Sequence, residues 1–86
     1  MLSAHEAITK HVSAQNRHLV RFAELDEQRE QAIEQALQLC KEGQPFSVTP
    51  INALTAEINN HAKQGISPTR VMVTEEMVRE YAAKQG

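Results

Sequence analysis

From Ser3 to Glu42 the chain contains neither glycine nor proline, a forty-residue window without a strong breaker. Within it, apolar residues recur at spacings of three and four: Ile8, Val12, Leu19, Phe22, Ile33, Ala36 or Leu37, and Cys40. That period belongs to an α-helix. Ser3 and Glu6 stand in the order of a capping box at its start. Gly43 follows as a natural residue just past its end, with Lys41 in the last turn. Two readings fit. A single helix over 4–42 would be about 60 Å long at 1.5 Å per residue. Alternatively the chain turns near Leu25–Asp26 into a helical hairpin. Such a turn favours glycine, asparagine or proline, whereas Glu27 to Gln31 are good helix formers, so propensity favours the continuous helix.

The remainder is punctuated more clearly. Thr49 reads as a cap with Pro50 at the first helical position, where a missing N–H is harmless. Ile51, Leu54, Ile58 and Ala62 then make one apolar stripe, and Asn52, Glu57, Asn59, Asn60 and Lys63 are assigned to the outer face. Gly65 closes this helix, expected over 50–64. A connector follows, in which Pro68 holds Ser67 extended. Thr74 caps a third helix over 75–84, with Glu75 and Glu76 in its first turn and Met77, Val78, Tyr81 and Ala82 inward. Phe46–Val48 and Val71–Val73 read as extended lead-ins that staple the two helix starts to the core, and a minimal strand pair is the other option.

The expected architecture is therefore one all-α domain over 1–86, a helical bundle of one long helix (or hairpin) and two shorter helices. A hydrophobic fraction of 41% against 23% charged residues supports a globular chain rather than a disordered one. Phe22, Phe46 and Tyr81 are the only aromatics, so aliphatic side chains and alanine must fill the core. No stretch approaches the roughly 18 apolar residues of a membrane span, and the first ten residues lack a signal-peptide run. The cytoplasm is the expected location.

Extending the seam of the long helix through its polar gaps adds Gln15, Asp26 and Arg29. Lys10, Arg17 and Arg21 outweigh Glu6 in the first half of this helix. Glu24, Asp26, Glu27, Glu30, Glu34 and Glu42 outweigh Arg29 and Lys41 in the second. Antiparallel pairing of the halves would bring Leu19 to Ala36, Phe22 to Ile33 and Asp26 to Arg29. That arrangement arises within one chain as a hairpin or between two chains as a dimer. So long a helix in so short a chain would leave its seam uncovered, so a homodimer is expected, with Leu19, Phe22, Asp26, Arg29, Ile33 and Ala36 as its candidate seam.

Site chemistry is sparse. His11 and His18 are seven apart, about 10.5 Å along a helix, too far to share an ion at bonds of roughly 2.0–2.1 Å. No His-Glu-x-x-His, Cys-x-x-Cys or glycine-rich phosphate loop occurs, and no nucleophile elbow surrounds a serine. The histidines are expected to face solvent or sit at the core edge. Cys40, at the carboxyl end of its helix, reads as a structural cysteine. No catalytic residue, metal ligand or cofactor is expected. Lys10, Arg17 and Arg21 align on one helical face beside His18 as a candidate anion-contact stripe. Three cations without aromatic or glycine support are a weak signal, and the net charge is −2. Nucleic-acid binding is therefore the secondary reading behind a non-enzymatic interaction or regulatory role.

Pro45-Phe46-Ser47, Ile51-Asn52 through Ile58-Asn59, Lys63 through Arg70, Val73 through Val78 and Tyr81 follow a histidine-rich first helix. In these residues the chain resembles the YpbS-like family of short uncharacterised proteins from Gram-positive, spore-forming bacteria, over nearly its whole length. The resemblance implies a bacterial cytosolic protein and brings no catalytic residues to carry over.

Overall fold

A computed structural model describes the backbone of residues 4–85 and the side chains of residues 13–85. Ser3, one half of the expected capping box, lies outside the described residues, as do the side chains of Glu6 and Lys10. Three α-helices follow in order: α1 (Ala4–Lys41), α2 (Thr49–Ala62) and α3 (Glu75–Gln85). The fold is all-α with a long first helix. No turn interrupts Leu25–Asp26, so the hairpin alternative is set aside. Gly43 adopts a left-handed φ of 72° just beyond α1, and the Gln44 N–H reaches back to the Leu39 carbonyl at 2.9 Å. This is how a glycine satisfies the last carbonyls of a helix.

α1 spans about 57 Å at 1.5 Å per residue, and the molecule measures 62 × 18 × 17 Å. The radius of gyration is 17.6 Å, against about 12 Å for a compact chain of this length. The protein is a rod built along one helix. α2 runs antiparallel to α1, with Thr55 opposite Arg29 and His61 opposite His18. The connector 63–74 turns and runs back beside α1, from Gln15 past Asp26 to Arg29. α3 then packs on the carboxyl half of α1. Both short helices lie along α1, and their backbones do not approach each other closely.

The main core lies at the end of the rod where all three helices meet. Ala36, Leu37, Ile51, Val78 and Ala82 are buried there, flanked by Ala32, Ile33, Cys40, Phe46, Val48 and Val73. Leu25 and Ile58 are buried farther along. The lead-ins behave as staples in part: Phe46, Val48 and Val73 pack on the core, whereas Val71 and Met72 are exposed, and no strand forms among the described residues. Thr74 caps α3 as expected, its Oγ1 accepting from the Met77 N–H at 3.2 Å. The start of α2 differs from expectation. Val48 occupies the cap position with no side-chain bond, and Ser47 Oγ accepts from the Thr49 N–H at 3.1 Å. Among the described residues no helix is long and apolar enough to cross a membrane.

Candidate functional site

The expected seam of α1 is taken up by the chain's own second half. Phe22, Asp26, Arg29, Ile33 and Ala36 lie on the covered face, all buried or half-buried. Leu19 does not, being 43% exposed, and half-buried His18 takes its place. The inner positions follow the spacing Gln15, His18, Phe22, Leu25, Arg29, Ala32, Ala36. At 100° per residue that line lies about 80° around the helix from Leu19.

Much of this covered face is polar because its partner is largely bare backbone. Asn52 and Asn59 stand seven residues apart on one face of α2, and each clamps one residue of the connector at both ends. Asn59 Nδ2 donates to the Arg70 carbonyl at 2.9 Å, and its Oδ1 accepts the Arg70 N–H at 2.7 Å. Asn52 does the same at Val73, at 2.8 and 2.7 Å. A carboxamide has one donor and one acceptor edge and thus replaces a neighbouring strand. The assignment of both asparagines to the outer face is therefore corrected.

From the other side, Asp26 grips the Arg70 side chain. Arg70 Nε donates to Oδ1 at 2.9 Å and Nη2 to Oδ2 at 3.2 Å, the forked geometry that makes arginine–carboxylate pairs strong. The guanidinium also lies over the Phe22 ring, 5.1 Å from its centre. Asp26 thus pairs with Arg70 and not Arg29. Arg29 instead donates from Nε to Thr55 Oγ1 and from Nη2 to the Val71 carbonyl, each at 2.8 Å. Thr55, fully buried, donates onward to the Ile51 carbonyl at 2.9 Å. Among the described residues no buried side-chain polar atom lacks a partner.

Nearer the amino end of α1 the rings of His18 and His61 stack, 3.8 Å between centres and 13° from parallel. His61 Nε2 donates to the His18 carbonyl at 2.8 Å, and His18 Nε2 lies 3.0 Å from Ser67 Oγ. Burial and, secondarily, the charge of His61 lower the His18 pKa below its ordinary 6.5. No carboxylate hydrogen-bonds either ring among the described residues, so this cluster lacks the third group that orients a catalytic histidine. A Cβ at Gly65 would stand 3.0 Å from three atoms of the His18 ring. Gly65 thus lets the backbone lie flat on that ring, and its φ is not positive. Gly65→Ala is expected to push the His18 ring aside and lower stability by about 1 kcal/mol, measurable by urea denaturation.

The anion-contact stripe comes out divided. Lys10 lies outside the described side chains. Arg17 is exposed, and Arg21 pairs with Glu24 at 3.3 Å on an exposed surface, where such pairs contribute little. Cys40 is half-buried against the core. Among the described residues no three His, Cys, Asp or Glu side chains are placed to hold a metal.

On the flank of the core, Ile33, Leu37, Val73, Met77, Val78 and Tyr81 line an open apolar groove of about 280 Å³. Met77 and Tyr81 are 43% and 53% exposed at its edge. Glu30 and Glu34 border it beyond Tyr81.

A long helix gripping an asparagine-clamped connector, with two short helices packed on it, defines a small all-α class of protein, and the chain matches the family described as "Protein of unknown function (DUF2533)" over residues 2–84. It belongs to that family. It is 43% identical, over 98% of its length and 99% of the relative's, to the "Uncharacterized protein YpbS" of Bacillus subtilis (strain 168). No solved structure matches it.

Proposed function

We propose that this protein is a non-enzymatic interaction protein of the cytoplasm that acts as a homodimer, joined through the apolar groove between α1 and α3. The groove carries the reading. Met77 and Tyr81 stand exposed at its edge, beside the half-buried Ile33 and Val73, and exposed apolar patches mark protein contacts. Surface area supports a second copy as the occupant. The chain exposes 6255 Å², roughly 1,200 Å² more than a monomer of 9.6 kDa typically does. One partner's share of a stable interface is about 800 Å², so the rod has surplus surface of the needed size. A two-fold pairing uses the same patch on both copies. With a net charge of −2 per chain, long-range repulsion between copies is slight.

Sedimentation equilibrium over a wide concentration range tests this. A dimer mass is expected for the native chain, and a monomer mass for the Met77→Glu, Tyr81→Glu double variant. Both positions are exposed, so the variant should keep its helix content. A native monomer at every concentration would overturn the proposal.

A further inference from the structure

The His18–His61 cluster fastens a particular piece of the chain. It holds the carboxyl end of α2 and the bend Gly65–Ser67 onto α1. The His18 ring is enclosed on both faces, by the His61 ring at 3.8 Å and by Gly65. Two protonated rings cannot share that spacing without strong repulsion. The surroundings supply little relief. On α1, Arg17 and Arg21 flank His18, and Arg21 is paired with Glu24. His11 lies two turns upstream, with its side chain outside the described residues. On α2, Glu57 is one turn before His61 and Lys63 two residues after it, and the connector brings no charge between Gln64 and Thr69. Neither imidazole is ion-paired among the described residues.

We propose that the stacked His18–His61 pair is a pH-sensitive latch, which holds the end of α2 and the Gly65–Ser67 bend against α1 and releases them when both rings are protonated. The doubly clamped residues that follow, Arg70 by Asp26 and Asn59 and Val73 by Asn52, confine the opening to the segment before them. The direction of the His18 shift agrees. A folded-state pKa lowered below 6.5 means that the open form binds the proton more tightly. The closed latch is therefore fully favoured above pH 6.5 and loses ground as pH falls from there through the lower folded value.

Amide hydrogen exchange on the full chain at pH 7.5 and 5.5, corrected for intrinsic exchange, tests the latch. Protection over residues 61–66 is expected to fall about three- to tenfold at the lower pH, the upper figure being the most that one shifted imidazole can give over this range, while that of Ile51–Ile58 and Val78–Ala82 changes less than twofold. His18→Phe keeps an aromatic ring in the stack but not the shifted group, and should abolish most of that pH dependence; His61→Phe removes only the secondary, coulombic contribution and should reduce it. An unchanged pattern between the two pH values would overturn the latch. So would a loss spread evenly over all three helices, or one that persists undiminished in the His18→Phe variant.

Discussion

Replacing Ile51 with alanine is expected to lower the stability of the chain by about 3–4 kcal/mol, within the range for burying a cavity in place of an isoleucine. Ile51 is fully buried at the meeting of all three helices, against Ala36, Leu37, Val78 and Ala82. Three of the five residues there are isoleucine, leucine and valine, and the other two are alanines. The alanines let the helices approach closely and cannot swing into a void. A helical rod has no second large core to compensate, so the full loss should register. Urea denaturation followed by circular dichroism would show a lower midpoint with an unchanged slope. At about 4–8 °C per kcal/mol for a domain of this size, the thermal midpoint should fall by more than 12 °C. A loss below about 1 kcal/mol would mean that the three helices do not converge on Ile51.

Asp26→Ala is expected to cost about 2 kcal/mol. It leaves the Arg70 guanidinium without its forked partner, while Asn59 still holds the Arg70 backbone. The side chains of Asp26 and Arg70 remain 19% and 33% exposed, so solvent moderates the loss below the roughly 3–5 kcal/mol of a fully buried pair. A double-mutant cycle with Arg70→Ala separates the pair from the packing of Arg70 on Phe22. A coupling energy of about 1 kcal/mol or more is expected, and one near zero would mean that Asp26 acts alone.

The elements themselves were legible because each rests on a local signal. The breaker-free window gave α1, Gly43 its end, and Thr74 with its glutamates the start of α3. The packing was less legible. Leu19 is apolar and correctly spaced from Val12 for the seam, yet His18 faces inward. Hydrophobic periodicity finds the buried face only when the partner surface is also apolar. Here much of the partner is an extended connector with N–H and C=O groups to satisfy, and Asn52, Asn59 and Arg29 are on the inner side because they satisfy them, while Asp26 is there to hold the Arg70 side chain. One signal was present. Asn52, Thr55 and Asn59 form a polar stripe at helical spacing beside the apolar one, although asparagine is a mediocre helix former. Two residues that weaken a helix, seven apart on one face, fit a structural task better than a solvated one. The apolar groove is partly visible in the sequence, since the pattern of the third helix puts Met77 and Tyr81 on its apolar face. Their partial exposure follows from how α3 sits on α1.

The route of the connector also bears on how fast the chain can fold. Helical bundles usually fold quickly because their contacts are close in sequence. In this rod the defining contacts join residues far apart: 51 positions separate Gln15 from Ile66, 49 separate His18 from Ser67, and 44 separate Asp26 from Arg70. α1 can form its own turns early, but it finds those partners only after a loop of about half the chain has closed, and that closure must be paid in entropy before any clamp engages. Its refolding rate should therefore lie nearer those of mixed α/β domains than those of other helical proteins of its size.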